Sequence, residues 1–282
     1  MRKLVYFLSL ILLNNCTEST LVEQEKKSVE GLKQSVEILR DQWGINHLYA
    51  QNQHDLFFTQ GYAAAQDRLF QFEIWRRQAT GTVAEILGAR ELKRDIGTRL
   101  FKYRGDLDRE LNHYHPEGKA IIEAYVSGVN AYIKSVINTP EKLPLPFKIL
   151  GIEPQPWTAE VVISRHQGLL GNIGQELEIG RAVALIGPDK VKDLLWLHPQ
   201  EPVLDLDPKI DQQLLFEDLL APYFAFRKGV QFEPRDLQPE YRTAEAISLL
   251  NQFNELSKDS LAIGSKNWVV AGSKTVDGKT YM

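Results

Sequence analysis

The chain has 282 residues, of which 43% are hydrophobic and 25% are charged. That balance is typical of a globular protein with a sizeable core and argues against an intrinsically disordered chain. The 33 basic and 37 acidic residues leave a net charge of -4, so nothing in the electrostatics favours nucleic acid as a partner. A single cysteine excludes an intrachain disulfide and a cysteine-rich metal site.

Residues 1–16 have the pattern of an export signal. A basic Arg-Lys pair precedes an apolar run over residues 4–13, which is too short to span a bilayer as a stable helix. Cys16 resembles the lipidated cysteine of a bacterial lipobox, although Asn15 replaces the small residue usual before it. Lipidation of Cys16 would anchor the exported protein to a membrane, and ordinary signal cleavage nearby is the alternative. Residues 17–36 are polar and mixed in charge, which predicts a tether.

Hydrophobic spacing predicts helices in the central part of the chain. Residues 61–80 place apolar side chains on one stripe, and Gly81 supplies a helix stop. Charged residues on the remaining face of this helix are three or four positions apart, which predicts ion pairs. Residues 116–136 form a second amphipathic helix, and Thr158 can cap a third helical region over residues 159–186.

The region before the first helix has strand-like composition. Residues 43–50 and 56–58 are apolar or aromatic and flank a polar stretch, which predicts two strands joined by a turn. His47 lies in the first of these strands without an acid partner fixed by spacing, which favours a strand histidine over a catalytic one. His113 and His115 are two residues apart with no third ligand nearby, which favours exposed histidines before a helix over a metal site.

The candidate nucleophile lies near the C-terminal end, where residues 264–272 are Gly-Ser-Lys-Asn-Trp-Val-Val-Ala-Gly. An apolar, β-branched run directly after a Gly-Ser pair predicts that Ser265 lies at the mouth of a strand, exposed yet rigidly held. That position suits a nucleophile. Most serines before strands are ordinary loop residues. The spacing alone is therefore compatible with Ser265 as a nucleophile and with Ser265 as an ordinary loop serine.

Two separated blocks of sequence resemble one family. Residues 264–270 are similar to the Gly-Ser-Asn-Asn-Trp-Val-Val junction of the penicillin amidase (penicillin acylase) family of N-terminal-nucleophile hydrolases. The start of that family's α-chain is resembled by Asp-Gln-Trp-Gly-Ile-Asn-His-Leu-Tyr-Ala at 41–50, Gly-Tyr-Ala-Ala-Ala-Gln-Asp-Arg-Leu-Phe-Gln at 61–71 and Gly-Thr-Val-Ala-Glu-Ile-Leu-Gly at 81–88. Two blocks in the family's order are more specific than either alone. The resemblance covers roughly residues 35–282.

The resemblance implies an α+β fold, with the αββα N-terminal-nucleophile hydrolase architecture in the parent protein. This chain would supply the mainly helical α-chain, over residues 37–224, and the first β-chain hairpin, over residues 265–282. Residues 225–264 are the candidate spacer peptide, and the α-chain is expected to pair with its own β-chain after processing. Prolines and short apolar patches between residues 196 and 264 predict a segment without one continuous core face.

The resemblance also implies the chemistry at the Gly264-Ser265 bond. Self-cleavage there would free the α-amine of Ser265 to act as base for the serine's own hydroxyl, which then hydrolyses a linear amide of a small N-acyl compound. Gly264 has no side chain to obstruct attack on its carbonyl. Lys266 departs from the family's asparagine and places a charge beside the new N-terminus, which can lower the pKa of the amine. The oxyanion donors are expected beyond Met282, so the 282 residues alone are expected to be inactive.

A calcium site and an acyl pocket complete the implied site. Glu176 matches the α-chain glutamate that binds a structural calcium together with β-chain carboxylates, and Glu178 is the neighbour that can be mistaken for it. Leu169 and Leu170 lie where the family lines its acyl pocket. No organic cofactor is expected.

Two functions remain open at this point. The first is an exported acylase precursor, periplasmic or anchored as a lipoprotein in a bacterial envelope; the second is a catalytically inactive envelope lipoprotein or binding module derived from an acylase. Residues 272–280 imitate a phosphate-binding loop but have five residues between the glycines where that loop needs four. The chain has no Gly-x-Ser-x-Gly elbow, which argues against an α/β-hydrolase.

Overall fold

The computed structural model describes residues 25–165, 172–195, 202–258 and 272–274. The chain divides into two compact units, residues 1–30 and 31–282. In the first unit, residues 25–30 form no regular helix or strand, and Lys27 pairs with Glu25 at 2.8 Å. No helix in the described ranges combines the length and the apolar character needed to cross a membrane.

The second unit begins with a two-stranded antiparallel hairpin and is otherwise mainly helical. Strand β1, Glu37–Arg40, pairs with strand β2, Asn46–Tyr49, so that Glu37 lies opposite Tyr49 and Arg40 opposite Asn46. The helices follow in chain order as α1 Gln53–Thr80, α2 Ala84–Leu87, α3 Leu92–Phe101, α4 Leu107–Leu111, α5 Gly118–Ile137, α6 Leu145–Leu150, α7 Ala159–Arg165, α8 Ile173–Ile186, α9 Pro188–Leu194, α10 Ala221–Arg227 and α11 Ala244–Lys258.

Helix α1 begins eight residues earlier than the sequence predicts. The side chain of Asn52 accepts a hydrogen bond from the backbone N–H of Asp55, which caps the helix, and Gly81 ends it in a left-handed conformation (φ 67°). The strand predicted over residues 56–58 is therefore wrong, because these residues lie in the first turns of α1. Their composition resembles a strand, but the helical period places buried Phe58 on the same face as the stripe that follows.

The hairpin is tied to α1 by one carboxylate. Asp67 accepts hydrogen bonds from the Arg40 guanidinium at 2.6 Å and from the Asn46 side chain at 2.9 Å. The next residue, Arg68, departs from helical geometry (φ -137°, ψ 30°), which kinks α1 at this point. The kink therefore lies directly beside the residue that holds the hairpin.

Two glycines let α1 and α5 pack closely. A Cβ atom on Gly61 would lie 2.0 Å from the carbonyl oxygen of Tyr125, and one on Gly128 would lie 1.9 Å from that of Phe58. The core surrounds this crossing and is formed by Ala65, Leu69, Phe72, Ala79, Val126, Val129, Ile133, Val136, Phe147, Trp157 and Val161. The helix predicted over residues 116–136 is confirmed, within two residues, by α5.

The third predicted helical region is present but divided. Helix α7 begins at Ala159 as predicted, and the N–H of Val161 donates to the Thr158 hydroxyl at 3.4 Å. Helix α8 begins at Ile173 after its N-cap Asn172, so the helical region predicted over residues 159–186 is interrupted at Asn172. Residues 166–171 lie outside the described residues.

Candidate functional site

Most of the residues assigned to the site by sequence lie outside the described residues: Gly264, Ser265, Leu169, Leu170 and Cys16. Their roles stay predictions. The structure does describe Glu176, together with the elements that carry the chain into and out of residues 166–171.

Glu176 and Glu178 differ in what their carboxylates contact. Glu176 lies exposed in the first turn of α8, and its side chain accepts a hydrogen bond from the side-chain amide of Asn172. Glu178 forms an ion pair with Arg181 at 2.7 Å, and Arg181 also donates to the backbone carbonyls of Leu215 and Glu217. Arg181 therefore ties α8 to the loop that carries Leu215 and Glu217, and Glu178 pairs with this arginine. Glu176 contacts only a neutral amide, which leaves it as the better candidate for a metal ligand.

The described residues supply only part of a calcium site. Calcium binds six to eight oxygen ligands, chiefly carboxylates and carbonyls. Within the described parts of the chain, no three His, Cys, Asp or Glu side chains come close enough to hold a metal ion together. The carboxylate of Glu176 has the right chemistry and exposure for one ligand, and further oxygens would have to come from other residues.

Helix α7, which leads into the predicted acyl pocket residues, is firmly anchored. The side chain of Asn130 on α5 accepts from the N–H of Trp157 at 2.8 Å and donates to the carbonyl of the same residue at 3.0 Å. The Trp157 ring packs on Phe72 with centroids 4.8 Å apart. The start of α7 is thus fixed to both core helices.

Glu73, a buried carboxylate on α1, binds the segment that precedes α7. Glu73 is only 1% exposed and pairs with Arg76 at 2.8 Å and with Arg77 at 2.7 Å. It also accepts the backbone N–H of Gln155 at 3.0 Å. The predicted spacing of these ion pairs is confirmed, but the sequence gives no sign that the central carboxylate would be buried and would also bind a loop.

Three histidines of the described ranges, His47, His113 and His115, lie at the surface. His47 on β2 lies 3.1 Å from Asp41, a partner that the spacing did not reveal. The His47 side chain is exposed, and that of Asp41 is partly buried. The backbone N–H of Ile45 and the His47 ring hold the pKa of Asp41 below its ordinary value. His113 and His115 are exposed before α5, as predicted, and His115 accepts the N–H of Glu117 at 3.0 Å.

An open groove runs along α11 and does not include Glu176. It is lined by Ala244, Ile247, Ser248, Asn251, Gln252 and Glu255, which lie in the candidate spacer. None of the residues that line this groove was assigned to the catalytic, acyl-binding or calcium site by sequence.

Comparison with known proteins decides the family. The family model for penicillin amidase matches residues 35–282. The chain belongs to the penicillin amidase family. The matched range includes Gly264 and Ser265 as well as Glu176, whereas Cys16 precedes it.

Several known acylases are similar to this chain. The penicillin acylase 2 proenzyme of Pseudomonas sp. strain SE83 is 32% identical over 90% of this chain and 30% of its own length. The acyl-homoserine lactone acylase QuiP of Pseudomonas aeruginosa is 27% identical over 90% of this chain and 28% of its own length. A solved structure, a thermostable penicillin G acylase from Alcaligenes faecalis, is 29% identical with a TM-score of 0.49 over 62% of this chain and 98% of that chain. The chain spans about a third of the length of the two curated relatives, the penicillin acylase 2 proenzyme and QuiP.

Proposed function

We propose that the whole protein is an amidohydrolase that removes an acyl group from a small N-acyl amide, with Ser265 as its nucleophile. The observation that supports this most is the family match across residues 35–282, which carries the Gly264-Ser265 pair within it. Curated relatives named as a penicillin acylase proenzyme and as an acyl-homoserine lactone acylase suggest penicillins and acyl-homoserine lactones as the first substrates to examine.

The proposed mechanism needs the Gly264-Ser265 bond to be broken first. Once it is hydrolysed, the Ser265 α-amine, with an ordinary pKa of about 8, takes the proton from the serine hydroxyl as the oxygen attacks the substrate carbonyl. The proton then passes to the departing amine while an acyl ester forms on Ser265. Water attacks that ester, releases the acid and restores the serine.

The test is intact mass and N-terminal sequencing of the full-length protein, with Ser265→Ala as the test variant. Ser273→Ala is the matched control, because Ser273 is an exposed serine eight residues further along the chain. We expect a chain that starts at Ser265 in the native protein and in the control but not in Ser265→Ala. Amine release from penicillin G or an N-acyl-homoserine lactone should follow the same pattern. An intact Gly264-Ser265 bond in the native protein would overturn the proposal and favour the inactive binding protein.

We also propose that Glu176 supplies one ligand to a structural calcium ion. The support is its oxygen chemistry, its exposure and the commitment of Glu178 to Arg181. Calcium chloride should raise the melting temperature of the full-length protein relative to EDTA. Glu176→Gln should remove that increment and Glu178→Gln should retain it; the opposite pattern would refute the assignment.

Export is a further part of the proposal, and it rests on the sequence of residues 1–16. If Cys16 is lipidated, the mature protein should partition with membranes and carry acyl chains on its N-terminal peptide. Cys16→Ala should release it into the soluble periplasmic fraction. A mature N-terminus at another residue, with no acyl mass, would indicate ordinary signal cleavage instead.

A further inference from the structure

Helix α3 exposes an apolar stripe that runs along its length. Leu92, Ile96 and Leu100 follow one another four positions apart, so at 3.6 residues per turn they lie on one face of the helix, over about 12 Å. They are 52%, 56% and 54% exposed. Aliphatic side chains exposed singly are ordinary at a protein surface, but three in a row along one helix form a patch.

The opposite face of α3 fixes the orientation of this stripe. Asp95 is buried and accepts the N–H groups of Val83 and Ala84 at 3.0 and 2.8 Å. Gly97 packs so closely against α10 that a Cβ atom on it would lie 2.2 Å from the carbonyl oxygen of Pro222. Rotating α3 to bury the stripe would break these contacts. The stripe is therefore exposed because the other side of the helix is committed to the helical body.

Basic side chains border the stripe on both sides. Lys93 and Arg99 are exposed and lie next to it, one on each side of the helical face. Arg99 donates to the carbonyl oxygen of Gly81 at 3.0 Å, which leaves its positive charge in place. Within α3, all of which is described, the acidic residue is Asp95, and it is buried on the opposite face. The exposed face of this helix thus combines aliphatic side chains with positive charge.

Acidic side chains at the two ends of α3 are already paired. Glu91, just before the helix, pairs with the buried Arg94. Glu160 on α7 pairs with Lys102, the residue that follows the helix, at 2.5 Å. Arg104 is exposed two residues further along. These acids therefore do not offset the charge of the two basic residues that border the stripe.

A membrane surface suits this face better than a second copy of the chain. An aliphatic stripe with basic borders is the pattern of a helix that lies in a membrane interface, where the apolar side chains enter the headgroup boundary and Lys or Arg contacts anionic headgroups. Two copies packed with α3 against α3 would bring Lys93 and Arg99 close to the same residues of the other copy. Like charges across an interface are unfavourable.

We propose that the exposed face of α3, formed by Leu92, Lys93, Ile96, Arg99 and Leu100 and here called the docking face, binds a membrane surface that contains anionic phospholipids. The inference rests on the export part of the proposed function for the identity of that membrane and is independent of catalysis. Residues 17–30 of the predicted tether can span up to about 50 Å. Acyl chains on the N-terminal residue would hold the protein at the membrane, and the docking face would fix which side of the helical body lies against it.

Co-sedimentation with vesicles tests the docking face on the full-length protein carrying Cys16→Ala, in which acylation of that residue is impossible. We expect binding to vesicles of equal parts phosphatidylglycerol and phosphatidylcholine. Binding to phosphatidylcholine alone should be at least about tenfold weaker, because each basic residue contributes about fivefold at an anionic surface. No binding to the anionic vesicles, or equal binding to both kinds, would overturn the inference.

Variants of α3 assign the binding to the docking face. The combination of Leu92→Gln, Ile96→Gln and Leu100→Gln removes the stripe, keeps the charge and should weaken binding to the anionic vesicles at least about tenfold. Lys93→Gln alone should weaken it about fivefold, which keeps the test decisive if the triple variant does not fold. Leu145→Gln, at a leucine on α6 that is exposed to a similar degree, is the matched control and should bind as the parent does. Parent-like binding by Lys93→Gln and by a folded triple variant would refute the assignment to α3.

Labelling and sedimentation separate the membrane from other occupants of the docking face. Ile96→Cys in the Cys16→Ala protein should react with a maleimide in solution, read from the mass of the peptide, and should be protected when anionic vesicles are added. Protection without vesicles in a monomer would mean that the rest of the protein covers the face, and a dimer that the triple variant disperses would mean that a second copy does. Either result would overturn the proposal. Native protein confined to the cytoplasm would instead refute export, and the vesicle result on α3 would stand.

Discussion

Asp55, in the first turn of α1, binds the segment that leads into the hairpin, and its substitution tests how that segment is held. Its side chain is fully buried and accepts the backbone N–H groups of Lys33 and Gln34, both at 2.9 Å, and the Asn52 side-chain amide at 2.7 Å. His54 lies 3.0 Å from the same carboxylate. Asp55→Asn keeps the size but turns an N–H₂ group toward these donors, so at least one backbone N–H should lose its acceptor.

The expected loss follows from the pKa of the carboxyl. Burial acts to raise the pKa of Asp55, but the hydrogen bonds from Lys33, Asn52, His54 and Gln34 outweigh it and lower the pKa from 3.8 to about 2. That lowering corresponds to about 2 kcal/mol of stabilisation at neutral pH. A donor left unsatisfied in the variant adds a cost of similar size, so Asp55→Asn should lose roughly 2–4 kcal/mol.

The sign of the pH dependence follows from the same values. A lowered pKa in the folded state means that the stabilisation is complete well above the unfolded value of 3.8 and is lost as the pH falls through about 2. The native protein should therefore lose this contribution between roughly pH 5 and pH 2. Asp55→Asn cannot titrate here, so its stability should change less over that window.

Hydrogen exchange and thermal unfolding of the full-length protein measure both effects. The amides of Lys33 and Gln34 should exchange faster in Asp55→Asn, and the melting temperature should fall, by less per kcal/mol than in a small domain because the shift scales inversely with chain length. Asp218→Asn, an exposed aspartate, is the matched control and should change neither. If exchange at Lys33 and Gln34 is unchanged while the two variants melt alike, the carboxylate does not anchor this segment.

Three further substitutions test the packing around the core. Glu73→Gln removes the carboxylate partner of Arg76 and leaves Arg77 paired only with the exposed Glu85, so it should cost about 3–5 kcal/mol, measured by urea unfolding. Gly128→Ala forces a Cβ against the carbonyl of Phe58 and should cost about 1–3 kcal/mol or more in the same assay, whereas Gly180→Ala, whose Cβ meets only ordinary contact, should be neutral or stabilising. Asn130→Ala removes both hydrogen bonds to Trp157 and should cost about 1–3 kcal/mol, with faster amide exchange at Trp157 as the readout; unchanged exchange would contradict it.

Local signals in the sequence predicted the helices well. Gly81 ends α1, Thr158 caps α7, and the predicted span of α5 is correct to within two residues. Each of these depends on residues within one or two turns of each other, so periodicity and capping preferences are sufficient. The same reasoning was wrong over residues 56–58, where composition suggested a strand and the cap at Asn52 went unrecognised.

Contacts between distant residues were not predictable in this way. The partner of Glu73 outside its own helix is the backbone of Gln155, 82 residues away, and Asn130 binds Trp157 across 27 residues. An amide or carboxylate that satisfies a loop's backbone has no preferred sequence separation, so spacing cannot reveal it. Only the resemblance to the family pointed to Glu176. The structure adds a physical difference between the two glutamates, because Glu178 pairs with Arg181.

Helix α3 shows how such contacts join separate parts of the fold. Arg94 and Asp95 are adjacent, buried and opposite in charge, and both bind backbone. Asp95 accepts the N–H groups of Val83 and Ala84 at 3.0 and 2.8 Å. Arg94 pairs with Glu91 and also donates to the carbonyls of Lys228 and Gly229, which follow α10. The acid satisfies the free donors at the start of α2 and the base satisfies free acceptors after α10. Because one short helix holds both segments, α3 links the start of α2 to the chain that follows α10.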